Sequence, residues 1–190
     1  MDPNTQPSDE DLAQRARAGA RAAFAELVHR HHGRIFAFHR SAGNCREDAE
    51  DFTQEAFLRA FKSIHRYNPE QPFLPWLYTI ARREAIRCWR RTKKTESLES
   101  APEPSIAAHS PDERGAQLWQ VARSQLRPVA YTALWLHYQE DLPLREVAQS
   151  INKSENATKV LIHRARQTLK QRLRPQQEAF LVAPTPAQNP

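Results

Sequence analysis

Residues 144–173, LREVAQSINKSENATKVLIHRARQTLKQRL, constrain this chain more than any other stretch. They read as two helices joined by a tight turn. Leu144, Val147, Ala148 and Ile151 fall at helical spacing on one face of a short first helix. Asn152 sits where the chain must bend, and Asn tolerates the left-handed conformation better than most residues. Ser154 is a good N-cap for the second helix. Along that helix Ala157, Leu161, Ala165 and Leu169 are expected to form the inner stripe, leaving Lys159, His163, Arg164, Arg166, Lys170 and Arg172 outside it. This is the layout of a helix-turn-helix, whose second helix enters the DNA major groove. The competing reading is an ordinary helical hairpin with a solvated basic face.

Apolar residues recur at helical spacing elsewhere, strand-like alternation is nowhere sustained, and only 4 of 190 residues are Gly. The expected fold is all-α. A net charge of +6 and a pI near 9.7 point to a polyanionic partner, most simply nucleic acid. No apolar run is long enough to span a bilayer, and the N-terminus MDPNTQPSDED lacks a signal-peptide core. A cytoplasmic protein is expected, with no membrane insertion of its own. Cys45 and Cys88 form no CxxC pair and are read as free thiols.

Eight helices are expected, over about 8–18, 20–39, 46–67, 76–93, 112–126, 128–139, 143–151 and 155–173. Ser8 with Asp11 resembles a capping box. Phe24, Leu27, Val28, His31, Ile35 and Phe38 form a core face on the second helix. Ala49, Phe52, Ala56, Phe57, Ala60, Phe61 and Ile64 do so on the third. Three prolines make 68–75 a constrained loop. Leu77, Ile80, Ala81 and Cys88 are the expected core face of the fourth helix. Residues 94–112 are rich in Ser, Pro and Glu and read as a flexible linker. The expected organisation is therefore two small helical domains, 8–93 and 113–174, the second carrying the helix-turn-helix, followed by a mobile Pro-rich tail at 175–190.

Two charged clusters stand out. The third helix opens with Glu47, Asp48, Glu50 and Asp51, with Glu55 a turn later. The helix macrodipole accounts for the first carboxylates. It does not account for the continuation through Asp51, Gln54 and Glu55, which suits docking on a basic protein surface. The fourth helix packs Arg82, Arg83, Arg87, Arg90, Arg91, Lys93 and Lys94 among Trp76, Tyr78 and Trp89. Cations bind phosphates and aromatic rings stack on unpaired bases, although Trp76 and Tyr78 could equally be core. His29, His31, His32 and His39 lack a partner cysteine or carboxylate at ligand spacing, so no metal is expected. Neither a phosphate-binding loop nor a nucleophile-and-base pair is found. No catalytic residue and no cofactor are expected.

In this order the pieces resemble the bacterial RNA polymerase sigma factors of the extracytoplasmic-function (ECF) group of the sigma-70 family. The resemblance rests on DAEDFTQEAFLRAFKSIHRY, PWLYTIARREAIRCWRRTKK and TKVLIHRARQTLKQRL, and covers about residues 8–173. It implies a non-enzymatic factor that binds core RNA polymerase and directs promoter-specific transcription initiation. It assigns residues 8–93 to sigma region 2 and 113–174 to region 4. Asp48, Asp51, Gln54 and Glu55 would dock on the clamp helices of the largest subunit. Asn68, Phe73, Trp76, Arg82, Arg83, Arg87 and Arg90 would engage the −10 element. Ser154, Glu155, Asn156, Lys159, Val160, His163 and Arg164 would read the −35 element, while region 4 also contacts the flap of the other large subunit. An anti-sigma factor is implied as a further partner.

Two departures from the family pattern leave the promoter sequence open. Arg83 stands where many relatives have Asn, and Asn152 where many have Gly. Competing readings are a plain helix-turn-helix regulator, a sigma mimic that titrates an anti-sigma factor, and a nucleic-acid enzyme.

Overall fold

In a computed structural model of the chain, the described residues are 6–96 and 113–181, with side chains described for 6–83, 85, 86, 115 and 118–173. All their regular elements are helical: α1 (Asp9–Arg17), α2 (Arg21–Ser41), α3 (Arg46–Ser63), α4 (Phe73–Glu96), α5 (Glu113–Gln125), α6 (Pro128–Tyr138), α7 (Leu144–Ile151) and α8 (Glu155–Leu181).

Local chemistry explains most boundaries. Ser8 and Asp11 form a reciprocal capping box at the start of α1. Gly19 and Gly43 take positive φ, of 100° and 86°, in the turns after α1 and α2. The thiol of Cys45 accepts the Asp48 N–H at 3.3 Å and caps α3. Pro128 opens α6 at a position whose N–H needs no partner.

The start of α4 differs from expectation. It begins at Phe73, inside the loop expected over 68–75. The Glu10 carboxylate, brought over by α1, accepts the Phe73 N–H at 3.1 Å, and Pro75 is accommodated in the first turn. α4 also runs to Glu96, three residues into the expected linker. The remaining linker residues, 97–112, lie outside the described residues. At the other end, α8 continues to Leu181 through the start of the expected tail, of which 182–190 lie outside the described residues.

Core residues follow the expected faces with two exceptions, and the Cys88 side chain, expected on the core face of α4, lies outside the described residues. Phe61 is 41% exposed, although its ring meets Phe24 edge-on at 5.0 Å. On α8 the buried stripe is Thr158, Ile162, Ala165 and Leu169, and Ala157 is exposed. A strict four-residue spacing rotates about 40° per step around an α-helix, so the stripe traced back from Leu169 leaves the buried face before Ala157. Thr158 is buried without penalty because its hydroxyl donates to the Ser154 carbonyl at 2.9 Å.

The two halves share one apolar core. α4 lies along α7, and α6 is covered on all sides, with every residue from Ala130 to Leu136 buried. The Phe38 ring meets Tyr78 at 5.6 Å and Trp135 at 6.3 Å. The Arg123 guanidinium occupies the space where a Cβ on Gly43 would stand. The Ser150 hydroxyl lies 3.2 Å from the Pro75 carbonyl, and the Gln149 amide donates to Gln71 at 2.6 Å. Arg34 pairs with Glu140 at 2.6 Å, and the Glu140 side chain is only 6% exposed.

Candidate nucleic-acid and docking surfaces

α3 turns Ala49, Thr53, Ala56, Phe57 and Ala60 into the core, which leaves its acidic side outward. Asp51 and Gln54 are exposed; Asp48 and Glu55 are half-buried. At the helix start, hydrogen bonds from backbone N–H and from Cys45 hold the Glu47 carboxyl below its usual range. Glu55 pairs with Arg59 one turn on, at 2.5 Å, and Glu50 faces His32 at 3.5 Å. Leu58, 53% exposed, and the outer edge of Phe61 extend this face at three- and four-residue spacing. Sequence reasoning passed over Leu58, although it lies three residues past Glu55 and seven past Asp51 on the same polar side.

The loop before α4 is closed by short-range bonds. The Asn68 side chain accepts the Glu70 N–H at 3.1 Å, the Gln71 N–H reaches the Asn68 carbonyl at 3.1 Å, and the Tyr67 hydroxyl donates to the Gln71 carbonyl. Asn68 is exposed, as a reading residue must be. Phe73 is different. Its ring is fully buried against Tyr67 at 5.7 Å and His31 at 5.8 Å, so in this conformation it supports the loop from inside and has no surface to offer a base. Trp76 is half-buried against Tyr67 and Phe73 at 5.3 and 5.6 Å.

Arg83 is exposed, whereas Arg82 is half-buried. Burial, and then the charge of Arg83, lower the Arg82 guanidinium pKa, and its Nε has no hydrogen-bond partner among the described residues. A phosphate beside Arg82 would satisfy both its charge and its free donor. Arg87 and Arg90 belong to α4, but their side chains lie outside the described residues.

In the C-terminal half, Asn152 adopts the left-handed conformation, φ 56° and ψ 54°. The next N–H, of Lys153, reaches back to the Ala148 carbonyl at 2.9 Å, which ends α7. The Ser154 hydroxyl then accepts the Ala157 N–H at 3.3 Å and starts α8. Ser154, Glu155, Asn156, Lys159, Val160, His163 and Arg164 are all exposed. Lys153, Asn156, Ala157, Val160, Leu161 and Arg164 line a shallow depression of about 410 Å³ on this face. Val160, 49% exposed, supplies an apolar contact between two cations.

The four histidines of α2 go to different surroundings. His29 is exposed, His31 bonds Asp9 at 2.6 Å, His32 faces Glu50 and His39 is buried beside Phe52. Among the described residues no three His, Cys, Asp or Glu side chains gather as metal ligands.

Residues 27–95 match the Sigma-70 region 2 family and residues 118–169 the Sigma-70, region 4 family. The chain is 32% identical over 166 residues to the RNA polymerase sigma factor CarQ of Myxococcus xanthus, covering 84% of this chain and 94% of CarQ. It is 31% identical over 137 residues to the ECF RNA polymerase sigma factor SigF of Caulobacter vibrioides, covering 67% and 72% of the two chains. The fold is that of CnrH in its complex with the cytosolic domain of CnrY, with a TM-score of 0.69, 23% identity, and 89% and 99% of the two chains covered. It is also that of the sigma factor RpoE bound to the anti-sigma factor NepR from Bartonella quintana, with a TM-score of 0.64, 19% identity, and 80% and 96% covered. The chain belongs to the sigma-70 family of RNA polymerase sigma factors. Within that family it is a member of the ECF group.

Proposed function

We propose that this chain binds core RNA polymerase and directs initiation at promoters carrying −10 and −35 elements. The observation that carries the reading is the separation of charge onto two exposed helix faces. The acidic side of α3 points outward with Leu58 beside it, and the basic N-terminal turns of α8 point outward with their cap and turn formed. A plain DNA-binding regulator has use for the second face and none for the first.

Asp48, Asp51, Gln54 and Glu55, joined by Leu58, dock on the clamp helices of the largest subunit. Asn68, Arg82 and Arg83, with Arg87 and Arg90 further along α4, engage the −10 element, with Phe73 and Trp76 as the platform beneath them. Ser154, Glu155, Asn156, Lys159, Val160, His163 and Arg164 face the −35 major groove. The domain division follows as region 2 over 8–93 and region 4 over 113–174, and region 4 meets the flap of the other large subunit. The factor carries no catalytic residue of its own and acts in the cytoplasm. No described helix is long and apolar enough to cross a membrane. Likeness to a sigma factor captured with an anti-sigma factor supports control by such a partner.

Run-off transcription with purified core polymerase on a library of genomic promoters tests the function. Specific transcripts that require both core and this chain support it. Absence of any specific transcript from folded protein refutes it.

A further inference from the structure

The two candidate promoter readers lie side by side. Gln71, in the loop before α4, touches Gln149 of α7 at 2.6 Å. Asn68 is three residues from that contact and Ser154 five, so each reader begins within about 20 Å of it. Elements centred at −10 and −35 are about twenty-five base pairs apart, or about 85 Å along a duplex. The chain as folded cannot reach both. Residues 97–112, sixteen in number, reach about 55 Å when fully extended, and the dimensions of the two halves supply the rest.

We infer that the free chain is self-inhibited: the Arg34–Glu140 ion pair latches its two halves together, and that latch must open before both promoter elements can be engaged. The inference rests on the promoter-reading function proposed above.

The pair suits a latch better than the apolar contacts around it. Phe38, Tyr78 and Trp135 favour closure but do not register one half on the other. Arg34 on α2 and Glu140 after α6 come from opposite halves, 106 residues apart in sequence. Glu140 is nearly buried, with the Tyr78 hydroxyl beside it, and Arg34 is its cation. Closure without Arg34 would strand a carboxylate in the interface; opening returns it to water. Neither residue belongs to a proposed reading or docking surface. Polymerase and DNA that bind the separated halves can therefore open the chain by mass action.

Two measurements on the full chain test this, in a Cys45→Ser, Cys88→Ala background. Fluorescence energy transfer between labels on Ala25→Cys and Gln167→Cys, both exposed, reports closure without reference to function. High transfer is expected in the free chain, a clear fall in Arg34→Glu and in Glu140→Arg, and recovery when both are combined. Unchanged transfer in the single variants with helical content intact, or no recovery in the swap, overturns the latch.

For the inhibitory role, Arg34→Cys and Glu140→Cys replace the ion pair in the unlabelled protein. Left reduced, that chain should transcribe at least as well as wild type. Bridged by a short cleavable bis-thiol reagent it should lose more than tenfold, and cleavage should restore it. A bridged chain as active as the reduced one overturns self-inhibition. If neither form transcribes, the promoter-reading function has failed instead, and the energy-transfer result still decides the latch.

Discussion

Burial of His39 should make the protein acid-labile in a way that one substitution removes. The ring is fully buried between Phe38, at 5.5 Å, and Phe52, at 5.9 Å, and neither ring nitrogen has a partner among the described residues. Burial pushes its pKa down from 6.5 to about 4. The folded state therefore binds the proton less readily than the unfolded chain, so this contribution is complete above pH 6.5 and falls away as pH drops toward 4. At pH 5 the unfolded chain is almost wholly protonated at this site and the folded chain almost wholly neutral, a loss of about 2 kcal/mol. His39→Leu keeps an apolar side chain of similar size and removes the titration. Urea unfolding followed by helical circular dichroism, at pH 7.5, 6 and 5, measures the difference. Between pH 7.5 and 5 wild type should lose about 2 kcal/mol more than the variant. His31, whose pKa is also lowered by burial, is present in both proteins and cancels. Parallel loss in the two proteins would refute the assignment of a neutral, unpartnered His39.

Three further outcomes follow from the surfaces and the turn. Asp51→Lys with Glu55→Lys should weaken core-polymerase binding at least tenfold in a pull-down titration, while helical content stays intact; the surface Glu55–Arg59 pair given up is worth about 0.2–0.5 kcal/mol. Undiminished affinity would remove α3 as the docking face. Asn152→Val should cost about 1–2 kcal/mol because a β-branched residue resists the left-handed conformation, whereas Asn152→Gly should be nearly neutral. Scanning calorimetry that ranks Val level with Gly would contradict the turn geometry. Lys159→Ala and Arg164→Ala should each weaken binding to −35 duplexes. A phosphate contact lowers affinity for all sequences and flattens the salt dependence by about one unit, and a base contact costs about 1–3 kcal/mol at one position. Full promoter activity in both variants would mean that the reading face of α8 lies elsewhere.

What could be read from the sequence was what local chemistry decides. The Ser8 capping box, the left-handed Asn152 and the Ser154 cap each depend on residues within a few positions, and each forms as expected. The start of α4 escaped because its cap comes from Glu10, 63 residues upstream. Phe73, expected among the reading residues, is enclosed by Tyr67 and His31, a fact of packing that no spacing reveals.

The packing of one half on the other escaped for a different reason, since its trace lies in α6. PVAYTALWLHY has no polar face, so a partner on one side cannot cover it. The helix-turn-helix covers one side, through α7 and α8. A second cover was required, and the N-terminal half supplies it, with Phe38 against Trp135 and the end of α2 near Tyr131. Reading α6 only as one member of a small C-terminal bundle left its other side bare in water. An apolar side of that kind drives closure on whatever complementary surface is nearest. Here that surface belongs to the same chain and so is present at high effective concentration. Any partner that parts the halves must therefore cover this side of α6 itself or offset the cost of leaving it wet.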